Sequence, residues 1–130
     1  MRVLILSLTL FLASSPSAQT AYTWVGGSGD WSSAPNWSPS GIPGAVDTAR
    51  VTTGSPVVAS DATVARLEFS GASLDGDGNL TIASSMEWSA GRMNGGGFAE
   101  TAALTIAPGA TLRISGDTDK VFRGRDLFND

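Results

Sequence analysis

The run Asp75-Gly76-Asp77-Gly78-Asn79 sets side-chain oxygens at alternate positions, the D-x-D-x-N opening with which a calcium loop gathers oxygen ligands around one hard cation. The rest of such a loop is not there. The sixth position, which needs Gly for the sharp turn, is Leu80, and the twelfth, which needs a bidentate Glu, is Met86. The same five residues suit a tight turn, in which Gly and Asn adopt positive φ and the Asp side chains stay solvated. The turn is the primary reading, and calcium on Asp75, Asp77 and Asn79 is the alternative; no other cofactor is expected. Asp117 and Asp119 mark a second acidic turn. Gly26-Gly27-Ser28-Gly29-Asp30 approaches the calcium-binding nonapeptide repeat, but its Asp falls one residue early and the motif does not recur.

Trp24, Trp31 and Trp37 form the other chemically expressive group. Indole rings stack on sugar faces while their N–H groups bond hydroxyls, so the three could make a carbohydrate-binding platform. Bulky aromatics beside Gly and Pro turns are equally what closes an exposed end of a β fold, and a structural plug is the reading we carry forward.

The chain has no Cys and no His. That removes Ser-His-Asp and Cys-His catalysis and the usual zinc sites together, and leaves carboxylate chemistry and oxygen-ligand cations. Glycoside hydrolysis wants two carboxylates about 5 to 9.5 Å apart in environments that separate their pKa values. Glu87 and Arg113 stand in the middle of well-defined strands and should point outward, and nothing in the spacing builds such a pair. No enzymatic activity is expected; the alternative is a remnant of a polysaccharide-active β-helix enzyme.

The elements that must position these residues are strands. Ala65-Arg66-Leu67-Glu68-Phe69 has apolar residues at every second position with charges between them, as a half-buried strand requires. The pattern returns in Leu80-Thr81-Ile82, Met86-Glu87-Trp88, Leu104-Thr105-Ile106 and Leu112-Arg113-Ile114, each set off by Gly, Asp, Asn, Ser or Pro. The class is all-β. Leu80-Thr81-Ile82-Ala83 recurs as Leu104-Thr105-Ile106-Ala107 at an offset of 24 residues. Met86-Glu87-Trp88 matches Leu112-Arg113-Ile114 only with a two-residue slip. A period in the twenties with short strands in each repeat predicts a right-handed parallel β-helix, whose coils stack and bury their inward residues in columns. The alternative is a β-sandwich of short antiparallel strands. Residues 19–60 read as a Trp- and Gly-rich N-terminal cap with the first coil, and residues 61–130 as further coils that stop partway through another. The unfinished coil predicts exposed apolar groups at Leu127 and Phe128 and self-association through an open edge.

Residues 1–18 read as a cleavable signal peptide. Arg2 supplies the positive start, residues 3–13 (VLILSLTLFLA) the apolar core, and Ser14-Ser15-Pro16-Ser17-Ala18 the small-residue exit. That core is shorter than the roughly 20 apolar residues of a spanning helix, so no transmembrane anchor is expected and the mature chain is placed outside the cell or on its surface. The roughly 110 residues that remain suit one domain. The formal charge is −4 and becomes one unit more negative when Arg2 is removed. An acidic chain is a poor partner for nucleic acid or anionic membrane, both of which need a basic face.

Several of these residues fall into a known order. Trp24-Val25-Gly26-Gly27, Gly29-Asp30-Trp31, Asn36-Trp37 and Pro43-Gly44 with Asp47 give W-x-G-G, G-x-W, N-W and P-G-x-x-D in succession. This succession resembles the opening of bacterial secreted and cell-surface repeat proteins of the autotransporter-passenger-like parallel β-helix type. Trp88-Ser89-Ala90-Gly91, Leu112 to Gly116 and Gly124-Arg125-Asp126-Leu127 are similar to one coil of such proteins. The resemblance implies an adhesin-like surface scaffold that contacts extracellular polysaccharide or cell-surface molecules, and it implies no one activity.

Overall fold

The computed structural model describes residues 18–96 and 102–130. All of the expected leader except Ala18 lies outside the described residues. Eleven strands are present: β1 (Ala21–Trp24), β2 (Ser28–Asp30), β3 (Trp37–Ser38), β4 (Thr48–Val51), β5 (Ser55–Val57), β6 (Ala62–Leu74), β7 (Leu80–Asn94), β8 (Ala103–Ile106), β9 (Thr111–Ile114), β10 (Lys120–Arg123) and β11 (Asp126–Asn129). The only helical element among the described residues is one 3-10 turn at Ala34–Asn36. The protein is all-β, and no described helix is long and apolar enough to cross a membrane.

Strand pairing is parallel throughout, except that β3 lies antiparallel on β1. The extended antiparallel ladders of a sandwich are therefore absent from the described residues. β6 and β7 are longer than the short segments read from the sequence, but register shifts at Val64/Arg66, Phe69/Ser70 and Ser70/Ser73 divide their pairing into three stretches, with Ser70↔Ala90 as a lone pair between the second and third. Each stretch extends a separate column of strands. The first column stacks residues 62–64, 80–82, β8 and β11. The second stacks β1, β4, residues 66–69, residues 85–88 and β9. The third begins with β2 on β5, continues through Ser73 N–H to Gly54 O and Asp75 N–H to Pro56 O, both at 3.0 Å, and runs on through residues 90–94 to β10. From β4 onward the chain visits second, third and first columns in that order and repeats the circuit.

Alternation decides what each column buries. In the first, Val64, Ile82 and Ile106 are fully buried, while Thr63, Thr81 and Thr105 between or beside them face outward. In the second, Ala49, Leu67 and Met86 form one buried line and Val51, Phe69 and Trp88 another. Leu74 and Met93 continue the core in the third. Each such side chain contributes about 1.5–3 kcal/mol on burial, which is how a chain without disulfides holds together. The slipped alignment of the sequence repeat is the structural one, with Met86 paired to Leu112 and Trp88 to Ile114. On β9 and β11 the inward line loses its cover, with Ile114 and Leu127 58% and 46% exposed, and Phe128, the register partner of outward-facing Thr105, is 50% exposed.

Turn glycines permit the stacking. Gly76 has φ +111°, and a Cβ there would run into the carbonyl oxygen of Val58 in the turn it rests on. Only a residue without a side chain allows one turn to lie so closely on the next.

Candidate functional site

The three N-terminal tryptophans are 2% exposed each and pack edge to face, with centroids 5.1 Å apart for Trp24–Trp37 and 4.7 Å for Trp31–Trp37. Trp37 Nε1 donates to Trp31 O at 2.8 Å and Trp24 Nε1 to Gly27 O at 3.1 Å. A sugar-stacking platform needs an open ring face, and burial denies one to Trp24, Trp31 and Trp37; the plug reading is the one that fits their positions. Trp31 Nε1 is buried without an acceptor among the described residues, a cost of about 1–3 kcal/mol carried by the cluster. A hollow of about 240 Å³ lies beside Trp31, between Asp30 and Asp61.

The opening motif has a local physical reason at each position. A Cβ at Gly26 would collide with the Asn36 side chain, whose Nδ2 donates to Asp30 O at 3.0 Å. Asp47 Oδ2 accepts from Gly44 N–H at 2.8 Å, and its Oδ1 accepts from Thr20 N–H at 2.9 Å, so P-G-x-x-D is a turn closed by its own Asp. Asp30 Oδ1 accepts from the Ser32 hydroxyl at 2.6 Å and from Ser32 N–H at 2.8 Å. The hydroxyl bond, then the backbone bond, holds the Asp30 carboxyl below its ordinary value.

The Asp-Gly turn does not bring its oxygens together around a vacant centre. Asp75 Oδ1 accepts from Asn94 Nδ2 at 2.8 Å and its Oδ2 from Ser73 Oγ at 3.2 Å, both on the outward side of the third column. Asn79 Oδ1 accepts from Ala103 N–H at 2.9 Å, and Asn79 N–H donates to Asp61 Oδ1 at 2.9 Å. Asp77 is exposed. No cluster of three potential metal-ligating acids occurs among the described residues. Of the residues proposed for calcium, Asp75 and Asn79 tie neighbouring strands and turns to one another, and Asp77 is exposed. The positive charge at this turn comes from Arg125, which is 5% exposed. Its Nη2 donates to Gly76 O at 2.8 Å, and its Nη1 donates to Gly78 O at 2.9 Å and Ala103 O at 3.1 Å. Burial pushes the guanidinium below its ordinary value while the carboxylates of Asp77 and then Asp75 push back, and an Arg in this balance stays charged at neutral pH.

Glu87 and Arg113 are register partners in the second column, and both face outward. They belong to a longer ladder in which Arg50, Glu68, Glu87 and Arg113 follow one another on successive strands, roughly 4.8 Å apart at Cα. Arg50 Nε donates to Glu68 Oε2 at 2.8 Å, and Arg66 Nε donates to Ser85 Oγ at 3.1 Å. A groove of about 240 Å³ runs along this face. Asp47, Asp61 and Asp75, outside the named strands, and Asp30, at the end of β2, instead accept hydrogen bonds.

Sequence reasoning missed Arg125, Arg50 and Glu68 as a group. Arg50 and Glu68 lie 18 residues apart, a spacing that the 24-residue repeat conceals because the later turns are longer. No family model matches the chain, and neither the curated proteins nor the solved structures contain a significant match.

Proposed function

We propose that this chain is an exported, non-catalytic scaffold, the N-terminal portion of an adhesin-like or autotransporter-passenger-like surface protein built as a right-handed parallel β-helix. The observation that carries the reading is the three-column parallel register, because a chain that revisits three columns in fixed order traces coils. Within residues 19–60, the buried Trp24, Trp31 and Trp37 and β3, laid along the edge of β1, then serve as the cap that an open first coil requires. The charged second face and the loops present contact surface to extracellular polysaccharide or cell-surface molecules. The edges of β9, β10 and β11, with Ile114, Leu127 and Phe128 exposed, are where the same reading places self-association.

Distance measurement between spin labels at Thr81→Cys and Arg92→Cys tests the coil. Both positions lie on β7. A straight strand would hold them ~36 Å apart at about 3.3 Å per residue, whereas a coil that turns two corners brings them well inside that distance. A separation near the straight-strand value overturns the β-helix.

A further inference from the structure

We propose that the carbonyl oxygens of Gly76, Gly78 and Ala103 form a cage for a planar cation, and that the chain fills it from within with the guanidinium of Arg125. Three acceptors, two from one turn and one from the start of β8, converge on one side chain: Gly76 O on Nη2, and Gly78 O and Ala103 O on Nη1, all within 2.8–3.1 Å. Two of the carbonyls precede Arg125 by 49 and 47 residues, so the cage is a product of stacking and not of local chain geometry. Its walls are fixed by close approach. A Cβ at Gly76 would strike Val58 O, and one at Gly78 would come within 2.6 Å of Ser60 O, so both carbonyls are held by the turn beneath them.

The chemistry favours a fork over a sphere. Carbonyl oxygens carry partial charge only, and the full charges nearby, on Asp75 and Asp77, are committed to strand ties or open to solvent. A hard divalent cation binds six to eight oxygens and draws mainly on carboxylates. A guanidinium needs acceptors spaced along its edge, and it is weakly hydrated, so it enters a mostly buried cage at lower desolvation cost than an ammonium. Arg125 Nε is buried without an acceptor among the described residues, so the hydrogen bonds seen are those of the fork. The D-x-D-x-N opening read from the sequence thus marks a cation position, and the cation is supplied in cis.

Chemical rescue on the full chain tests this. Arg125→Ala is expected to lower the melting temperature by about 10 °C or more, since three buried carbonyls lose their donors. Methylguanidinium chloride at low millimolar concentration is expected to restore at least half of that loss, sodium chloride at equal ionic strength none of it, and calcium chloride less than methylguanidinium. The wild-type protein should melt at the same temperature with calcium, with a chelator or with neither. If Arg125→Ala does not fold, its refolding yield with and without methylguanidinium is measured instead, beside Arg125→Lys, whose single ammonium is expected to give an intermediate melting temperature. An unchanged melting temperature in Arg125→Ala, a loss that methylguanidinium leaves untouched, or stronger recovery with calcium each overturns the planar-cation cage.

Discussion

Glu68 stands in parallel register with Glu87 on one side, while on the other its Oε2 accepts from Arg50 Nε at 2.8 Å. Like charges opposite one another on a sheet are destabilising by a few tenths to about 1 kcal/mol, and an ion pair as exposed as this one returns a similar amount. The two nearly cancel at Glu68. A double-mutant cycle on Arg50→Gln and Glu68→Gln is expected to give a coupling of about 0.2–1 kcal/mol that shrinks in high salt, read from urea midpoints. A coupling well above this range would mean that the ladder is a stability element and not a solvated face.

The alternation of Thr81 and Ile82 separates surface from core within two adjacent residues. Ile82 is fully buried, so Ile82→Ala should cost about 2–5 kcal/mol, while Thr81→Ala should cost under about 1 kcal/mol. Denaturant unfolding of both variants measures the contrast. Similar losses would place the strand in the wrong phase.

Gly91 and Gly109 have nearly the same backbone angle, with φ +97° and +80°, but different surroundings. A Cβ at Gly91 would meet Ala72 O, whereas one at Gly109 would meet nothing within 4 Å. Gly109→Ala should therefore cost about 1 kcal/mol of backbone strain, and Gly91→Ala should exceed it by a further 1–3 kcal/mol, roughly, for the steric clash. Thermal melts of the pair isolate the stacking contact from the dihedral.

Asp30 supplies a pH dependence of definite sign. Its carboxyl titrates below the ordinary value of 3.8 because Ser32 bonds the ionised form. A depressed folded pKa contributes stability that is complete above the unfolded value and is lost as pH falls through the folded one. Wild type should therefore exceed Asp30→Asn in urea midpoint at pH 6, with the gap closing below pH 3.8 as the carboxyl protonates. The effect is small, since Asp30 is exposed. A gap that widens in acid would contradict the assignment.

The parts of this fold that can be read from sequence are those set by side-chain alternation and by turn chemistry. Leu80-Thr81-Ile82 and its repeat announce a strand, a buried face and a partner, and the structure pairs them in register. The D-x-D-x-N run announces a tight turn, and the structure has one there between β6 and β7. What sequence does not carry is distance across the stack. Arg125 gives no sign in its own neighbourhood that it will reach turns 47 and 49 residues earlier. Burial of the tryptophans is hidden for another reason: an indole is equally at home in a core and on a sugar, and only β3 folding back on β1 decides between them. Column membership is obscured by turn length, since β4 precedes its partner on β6 by 18 residues while residues 85–88 precede β9 by 26.

That unevenness has a practical meaning. Strand register is kept while the connections between strands lengthen, so the architecture separates its bookkeeping from its display: the ladders count, and the loops are free to differ. Gly109, at a turn where an added Cβ would meet nothing within 4 Å, is where an inserted peptide is expected to leave the pairing of the strands unchanged.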